Sequence, residues 1–316
     1  ERRLAAWIQD RIGPNQVGPV GLLQPLADVI KLAFKEDLTP DGVDKWIYRL
    51  GPALVYAPAI LAFTVIPVGM DLQVASFDVG VIFLLTIGSF SVYGLAFGGW
   101  ASNNKYSLLG GLRASAQMIS YEVALGLSVI AILMTAETVD LNSIIRQQWA
   151  AGTLGLLQWN IFQQPLAAGI FLVAAFAETN RLPFDLAECE AELVGGFHTE
   201  YTGLKFAMFF MGEYVAMITM SALMVTMFLG GWSLPWVEIP TTPGVGDIAL
   251  SIGIFMSKLM VLLFFYIWVR WTLPRFRYDQ LMGIGWKVFI PLSLLNLGLT
   301  ALSGVLGWNW LIPLPW

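Results

Sequence analysis

Residues 206–229 read FAMFFMGEYVAMITMSALMVTMFL, an apolar run of 24 residues with one charged residue, Glu213. A helix needs about twenty apolar residues to cross the ~30 Å hydrocarbon core of a bilayer. The run is continuous rather than alternating with period two, which favours a helix over a strand of a membrane barrel. The stretch therefore predicts an all-α, polytopic membrane helix bundle.

Similar runs elsewhere raise the prediction to seven spans, at 50–69, 78–100, 117–136, 161–178, 206–229, 250–271 and 287–308. The composition agrees, because the 316 residues are only 12% charged, against ~25% in soluble domains. So few charges cannot cover the surface of a folded chain of this size in water. Lipid must therefore be part of its solvent.

The basic residues predict the orientation, because cytoplasmic loops hold most Lys and Arg. With 1–49 inside, 15 of the 17 basic residues are cytoplasmic, while Lys258 lies within a span and only Arg146 lies outside. We therefore expect a cytoplasmic and interfacial segment 1–49 and a transmembrane domain 50–316. That domain includes an acidic cytoplasmic loop, 179–205, and ends on the periplasmic side.

The start of the sequence predicts a further span. It begins at Glu1, without Met or a leader, and enters a dense cytoplasmic segment directly. We expect a missing first span upstream, which gives eight in the intact protein. Segments 19–37 and 139–149 have amphipathic helical spacing and are predicted to lie in the membrane interface.

Several classes of function are excluded by composition. A net charge of −5 argues against a nucleic-acid partner. One cysteine, Cys189, and one histidine, His198, cannot build a zinc or iron–sulfur site or a disulfide framework. We therefore expect no metal and no cofactor ligated by this chain alone.

Charged residues inside the predicted spans are the candidates for function. Glu122, Glu213 and Lys258 lie well within apolar runs, where each charge costs ~2.5–3.5 kcal/mol on insertion scales. A single such residue is often a structural hydrogen-bonding partner, but two carboxylates and a lysine favour a proton or ion pathway. The following loop strengthens that interpretation with six carboxylates in 23 residues: Glu178, Asp185, Glu188, Glu190, Glu192 and Glu200.

These carboxylates allow two interpretations. An acidic loop is usually a solvated surface. Here the acids are interspersed with large apolar residues, and Arg181 is the one basic residue among them. Partly buried carboxylates of this kind can relay protons near neutral pH.

Short motifs along the chain resemble the H-type membrane protein of respiratory complex I, including its mitochondrial homologue, from Glu1 to about residue 300. They are E-R-R (1–3), R-I-G-P-N (11–15), G-L-L-Q-P-L-A-D (21–28), K-E-D (35–37), N-N-K-Y-S-L-L-G (103–110), R-A-S-A-Q (113–117), S-Y-E (120–122), A-E-T-N-R-L-P-F-D (177–185), E-x-E-x-E (188–192), E-Y (200–201), G-E-Y (212–214) and P-R-F-R-Y-D-Q-L-M (274–282). That family normally has one more span before E-R-R, which agrees with the missing span inferred above.

The resemblance implies a membrane subunit of a proton-pumping NADH:quinone oxidoreductase, in a bacterial or mitochondrial inner membrane. It implies that the chain helps to form the quinone chamber and couples quinone reduction to proton translocation. Quinone is then the substrate, while FMN and iron–sulfur clusters belong to partner subunits of the peripheral arm; other membrane-arm subunits are further partners. By motif, the residues near the quinone are Glu1, Arg2, Arg11, Asp28, Arg270, Arg275 and Arg277. The residues of proton or electrostatic coupling are Glu122, Glu178, Arg181, Asp185, Glu188, Glu190, Glu192, Glu200 and Glu213.

Three alternatives remain open at this point. Membrane carboxylates together with Lys258 are also typical of a stand-alone proton or cation transporter. A homologous membrane subunit of an energy-converting hydrogenase would share the fold without binding quinone. A purely structural anchor would tolerate replacement of Glu122 or Glu213 by Gln.

Overall fold

The structure, a computed structural model, describes residues 1–70, 72–150, 158–186, 193–234 and 244–306. Within these ranges the chain is helical, and its only β-pairing is an isolated bridge between Gly69 and Leu72. The all-α prediction is confirmed. The helices, apart from single turns, are α1 (Arg2–Ile8), α2 (Gln24–Ala33), α3 (Lys45–Ala62), α4 (Gly80–Ala101), α5 (Lys105–Ala136), α6 (Leu141–Ala150), α7 (Pro165–Glu178), α8 (Gly203–Phe228), α9 (Val245–Thr272) and α10 (Tyr278–Leu306).

Five helices in the described part of the chain are long and apolar enough to cross a membrane: α4, α5, α8, α9 and α10. Each overlaps most of one of the predicted spans. The first predicted span overlaps α3, which has 18 residues, and the fourth overlaps α7, which has only 14. Because a span needs about twenty residues, the count of seven stays a prediction.

Two of the long helices begin well before their predicted spans, in the segments 101–116 and 272–286 that separate the spans. Helix α5 begins at Lys105 and α10 at Tyr278. Hydropathy detects only the apolar part of a helix, whereas the helix itself begins where the backbone is capped. At α5 the side chain of Asn104 accepts a hydrogen bond from the Tyr106 backbone N–H (2.9 Å), which fixes the start.

Helices α5 and α8 organise the bundle. Helix α5 packs against α4, α7 and α10, while α8 packs against α3, α7 and α9. The main core lies between these helices and includes the fully buried Tyr121, Phe171 and Phe228. A second, smaller core around Tyr48 and Phe197 joins α3, α4 and α5 on the side of the predicted cytoplasmic loop. The short helix α1 docks against α9.

Glycines allow α3 and α4 to approach closely. A Cβ added at Gly94 would lie 2.6 Å from Val55 Cγ2 and 2.9 Å from the Gly51 carbonyl oxygen. A Cβ at Gly51 would lie 3.0 Å from Gly98 Cα. Small residues at such contacts are how membrane helices gain packing without a hydrophobic driving force between them.

The two predicted amphipathic segments differ in what covers them. Helix α2 exposes its apolar side chains, including Leu26 and Ile30. Helix α6 instead buries Leu141, Ile144 and Ile145 in the main core. Its apolar face is therefore covered by protein rather than by lipid.

Candidate functional site

The carboxylate of Glu1 is the centre of a buried charge cluster at the docked end of α1. It accepts hydrogen bonds from the Tyr214 hydroxyl of α8 and from Arg270 Nη1 of α9. Arg181 Nη1, from the loop after α7, lies 3.5 Å from Glu1 Oε1. The Arg181 guanidinium also lies over the Tyr214 ring, 4.2 Å from its centroid. Four segments far apart in sequence therefore converge on one carboxylate.

Burial and charge act in opposite directions on this cluster. The side chains of Glu1 and Arg181 are only 14% and 6% exposed, so neither charge is solvated by bulk water. Burial alone would raise the pKa of Glu1, but the two guanidiniums and the Tyr214 hydroxyl outweigh it and hold that pKa below its usual 4.5. Burial alone would lower the pKa of Arg181, but the carboxylates of Glu213 and Glu1 raise it. The cluster is therefore ionised.

A cavity of about 530 Å³, here called the Glu1 cavity, opens beside this cluster. Its polar lining comes from Glu1, Arg2, Arg11 and Arg270, and its walls include Phe210, Tyr214 and Trp271. An apolar and aromatic pocket with a few convergent polar groups is the usual form of a small-molecule site.

A second cavity of about 60 Å³, here called the Glu178 cavity, lies between α3, α4, α5, α7 and α8. Its polar lining includes Glu178, Asn180 and Glu213. A buried water needs roughly 10–15 Å³ of such space, so the cavity has room for a few water molecules. Buried Oε2 of Glu178 has no protein partner within hydrogen-bonding geometry.

Arg181 lies between the two cavities. It contacts Glu1 on one side and interacts electrostatically with Glu213 on the other. Tyr214 lines the Glu1 cavity, and its neighbour in sequence, Glu213, lines the Glu178 cavity. Adjacent residues of α8 thus belong to different cavities, with one guanidinium between them.

The carboxylates continue beyond the Glu178 cavity to Glu122 on α5. Glu122 accepts a hydrogen bond from Ser89 Oγ of α4 and interacts electrostatically with Glu178. The Glu178 carboxylate lies beside Gly88, next to Ser89, because a Cβ built at Gly88 would be in ordinary contact with Oε1 at 3.6 Å.

Gln117 of α5 holds the loop that carries Arg181. Its side-chain nitrogen lies within hydrogen-bonding distance of the Ala177 carbonyl (2.7 Å), the Asn180 side-chain oxygen (3.1 Å) and the Phe184 carbonyl (2.9 Å). These acceptors precede and follow Arg181, so one buried amide positions both ends of its turn.

Comparison with known proteins decides the family. The NADH dehydrogenase family model matches residues 1–301. An H-type NADH-quinone oxidoreductase protein of Geobacter metallireducens is 50% identical over 95% of this chain and 88% of its own length. The H-type protein of Thermomicrobium roseum is 49% identical over 97% of this chain and 90% of its own length. NADH-quinone oxidoreductase subunit 8 of Rhodothermus marinus is 47% identical over 96% of this chain and 90% of its own length.

This chain belongs to the H-type membrane protein family of NADH-quinone oxidoreductases. The resemblance found in the motifs is thereby confirmed. Together with the five apolar helices, membership identifies an integral membrane protein.

The structure brings together four of the seven residues predicted near the quinone: Glu1, Arg2, Arg11 and Arg270. Asp28 adjoins this group through an ion pair with Arg2 (2.6 Å). Arg275 and Arg277 do not line the cavity. Arg275 pairs with Asp185 (3.3 Å), and Arg277 pairs with Asp279 (3.1 Å) on the surface.

The predicted coupling residues fall into four groups, one of which is Asp185, paired with Arg275. Arg181, Glu213, Glu178 and Glu122 form the connected set described above. Glu200 lies elsewhere, where its Oε1 accepts a hydrogen bond from the Asn104 side chain (2.6 Å) beside the start of α5. Three acids of the predicted loop lie outside the described residues: Glu188, Glu190 and Glu192.

The sequence interpretation missed Tyr214, Gln117 and Ser89 as members of the site. Tyr214 and Gln117 stand inside the quoted motifs G-E-Y and R-A-S-A-Q, which was the signal available for them. Ser89 lies in an apolar run outside the quoted motifs, so the sequence carried no signal for it.

Lys258 stands apart from the site. Its ammonium donates hydrogen bonds to the carbonyls of Leu229 (2.7 Å), Gly231 (2.9 Å) and Ser233 (2.6 Å), just past the end of α8. Such a group caps a helix C-terminus, where carbonyls lack intrahelical donors. Among the residues that the structure describes, no three His, Cys, Asp or Glu side chains are grouped to hold a metal ion.

Proposed function

We propose that this chain is the membrane subunit of a proton-pumping NADH:quinone oxidoreductase that forms part of the quinone chamber and couples quinone reduction to proton translocation. The observation that carries the proposal is the connected set of buried charges from the Glu1 cavity, through Arg181, to the Glu178 cavity and Glu122. The names of the similar proteins support the assignment to an NADH-quinone oxidoreductase.

The Glu1 cavity suits a quinone head group. Aromatic walls from Phe210, Tyr214 and Trp271 match a flat ring, and the arginines place positive charge where the ring oxygens gain electron density. Reduction adds two electrons and two protons to the quinone and gives a quinol. The electrons come from an iron–sulfur centre of a peripheral partner subunit, because one cysteine and one histidine are too few to ligate a cluster in this chain.

Charge balance explains how reduction is sensed. Glu1 and Glu213 carry two negative charges, and Arg181 and Arg270 carry two positive ones. A reduced quinone that still lacks its protons competes with Glu1 for Arg270. Loss of the Glu1–Arg270 interaction strengthens the attraction between Glu1 and Arg181, because that guanidinium also faces Glu1. Arg181 then changes its interaction with Glu213.

From Glu213 the change reaches the Glu178 cavity. Water molecules in that cavity can connect Glu213 with Glu178, and Glu178 is an electrostatic neighbour of Glu122. Protonation of one carboxylate thus alters the next, either as proton movement or as a change of charge. This is the physical basis of the coupling.

The coupling is tested by Glu213→Gln in the assembled complex, reconstituted in sealed vesicles. We expect NADH:quinone turnover, proton pumping or both to fall about tenfold, the rate cost of one charge interaction of moderate strength. Assembly should be preserved. The control is Glu137→Gln, which alters an exposed carboxylate at the end of α5. Normal turnover and pumping in Glu213→Gln would reject the coupling role.

The quinone site has a separate test. A photoreactive quinone analogue, applied to the intact complex, should label residues 1–14, 210–214 or 270–271, which contain the lining of the Glu1 cavity. Competition with unlabelled quinone should abolish the labelling. Labelling of this chain that misses all three segments would assign the quinone to another place.

A further inference from the structure

A buried tyrosine on α9 has a neighbour in the lining of each cavity, Glu178 and Arg270, and has no role in the mechanism above. Tyr266 is 3% exposed, and its ring stacks on Phe176 with centroids 3.8 Å apart and planes 17° apart. Arg270 follows four residues later, so both side chains lie on one face of α9. This face is the one that docks against the Glu1 cluster, because Arg270 binds Glu1.

Around the Tyr266 hydroxyl lie polar groups, some of whose atoms have no partner. Its electrostatic neighbours are Glu178 and Arg181, and it also lies within reach of the Thr179 hydroxyl, which itself donates to the carbonyls of its own helix turn. The hydroxyl has no partner that satisfies hydrogen-bonding geometry, and the same holds for Oε2 of Glu178 and for Nε and Nη2 of Arg181. Buried polar atoms are nearly always paired in native proteins, so this grouping needs an explanation.

The chemistry of the three groups is complementary. The Arg181 nitrogens can only donate, an ionised Glu178 carboxylate can only accept, and a phenol can do both. Tyr266 is therefore able to accept a hydrogen bond from Arg181 and donate one to Glu178. A small shift of the side chains would complete both bonds.

We propose that the Tyr266 hydroxyl is a positioning and relay group that links Arg181 of the Glu1 cluster to Glu178 of the inner cavity. The proposal rests on the proposed function and adds to it a second connection, parallel to the one through Glu213. When the Arg181 guanidinium changes its contact with the Glu1 carboxylate, it needs a different hydrogen-bond acceptor, and the Tyr266 hydroxyl can serve as one. The hydroxyl then turns and alters its hydrogen bond to Glu178, with no net transfer of a proton.

The test is Tyr266→Phe in the intact complex, reconstituted in sealed vesicles. The substitution keeps the ring that stacks on Phe176 and removes only the hydroxyl. We expect turnover and pumping to fall about tenfold, as for the loss of one hydrogen bond to a charged group. The KM for quinone should stay within about twofold, because Tyr266 does not line the Glu1 cavity, and thermal stability should be unchanged.

The matched control is Tyr201→Phe. That residue is also buried, but its hydroxyl donates to the Tyr48 backbone carbonyl (3.0 Å), away from both cavities. We expect native turnover in this variant. Native turnover and pumping in Tyr266→Phe, or a raised KM with unchanged kcat, would overturn the proposal.

Incorporation of 3-fluorotyrosine at position 266 tests the role even if the Phe variant does not assemble. The hydroxyl is retained but becomes a stronger hydrogen-bond donor, which favours the ionised form of Glu178, so the pH profile of turnover should shift; Glu178 and Arg181 are the charged groups that face it. An unshifted profile would contradict the relay role.

Glu178→Gln separates the two proposals. If Glu178→Gln impairs coupling while Tyr266→Phe does not, only the tyrosine relay fails. If both variants couple normally, the path through the Glu178 cavity fails, and the proposed coupling mechanism fails with it.

Discussion

At the scale of single residues, the lowered pKa of Glu1 predicts that the docking of α1 depends on pH. Its pKa lies below the ordinary 4.5, because two guanidiniums and the Tyr214 hydroxyl outweigh burial. A lowered folded pKa contributes stability that is present above the unfolded pKa and is lost as pH falls through the folded value. We therefore expect α1 to stay docked above about pH 4.5 and to loosen progressively below it. Hydrogen exchange of the α1 amides, corrected for intrinsic rates, measures this docking.

Glu1→Gln should remove that pH dependence and loosen α1 already at neutral pH. Breaking a buried ion pair leaves a guanidinium uncompensated and costs about 3–5 kcal/mol. Asp10→Asn is the control, because Asp10 is an exposed acid just beyond α1. An α1 that exchanges at the wild-type rate in Glu1→Gln would show that the ion pairs do not hold it.

Lys258 leads to a prediction against the transport interpretation of its charge. Its ammonium serves three backbone carbonyls past α8, so Lys258→Met leaves these acceptors without their donor. Each buried unsatisfied group costs about 1–3 kcal/mol. We expect a clearly lower melting temperature in detergent, with an unchanged number of protons pumped per quinone in complexes that assemble. Lys287→Met, at an exposed lysine, should alter neither quantity. A stable Lys258→Met complex with altered pumping stoichiometry would place Lys258 in a proton path.

At the scale of elements, hydropathy predicted the positions of helices well and their ends poorly. The predicted apolar windows overlap most of their length with α4, α5, α8, α9 and α10. Helix α5, however, begins twelve residues before its window, at Lys105. Its first turns contain Ser107, Gly110 and Gly111, which are weakly apolar but buried against neighbouring helices. Burial by tertiary packing leaves no hydropathy signal, so hydropathy could not predict that start, which is marked instead by the Asn104 cap.

The α3–α4 contact gives a prediction about helix packing. Gly94→Ala would place a methyl group 2.6 Å from Val55 Cγ2 and 2.9 Å from the Gly51 carbonyl oxygen. Overpacking of this kind typically costs about 1–3 kcal/mol. Gly126→Ala is the control, because nothing lies within 4 Å of a Cβ built there. Thermal unfolding of the purified complex should show a lower midpoint for Gly94→Ala alone, and equal midpoints would argue against a tight contact.

At the scale of the whole molecule, the sequence pattern could not predict which residues meet at the site. Glu1, Arg181, Tyr214 and Arg270 come from four separate segments. The apolar runs identified charged residues that lipid should exclude, such as Glu213, but not the partners of those residues. The family resemblance pointed to Glu1, Arg181 and Arg270, though it did not say that all three meet at one carboxylate. That contact depends on the packing of α1 against α9.

The predicted orientation of the molecule can be tested by labelling exposed positions on either side of the membrane. The same test decides whether α3 and α7 are spans. The distribution of basic residues predicts Gly42 and Val194 on the cytoplasmic side and Val74 and Glu137 on the opposite side. Gly42 and Val74 lie on either side of α3 in the sequence, and Glu137 and Val194 lie on either side of α7. These two helices overlap predicted spans but are not among the five long apolar helices. All four positions are exposed.

Single cysteines at these positions, after replacement of Cys189 by Ser, can be labelled with a membrane-impermeant maleimide in sealed vesicles of either orientation. In right-side-out vesicles we expect labelling at 74 and 137 only, and in inverted vesicles at 42 and 194 only. Equal sidedness of 42 and 74 would mean that α3 does not cross the bilayer. Helix α3 has 18 residues, or about 27 Å at 1.5 Å per residue, slightly less than the ~30 Å core. The turns that follow it contain the buried, apolar Val65 and Ile66, which add the apolar residues that a full crossing requires.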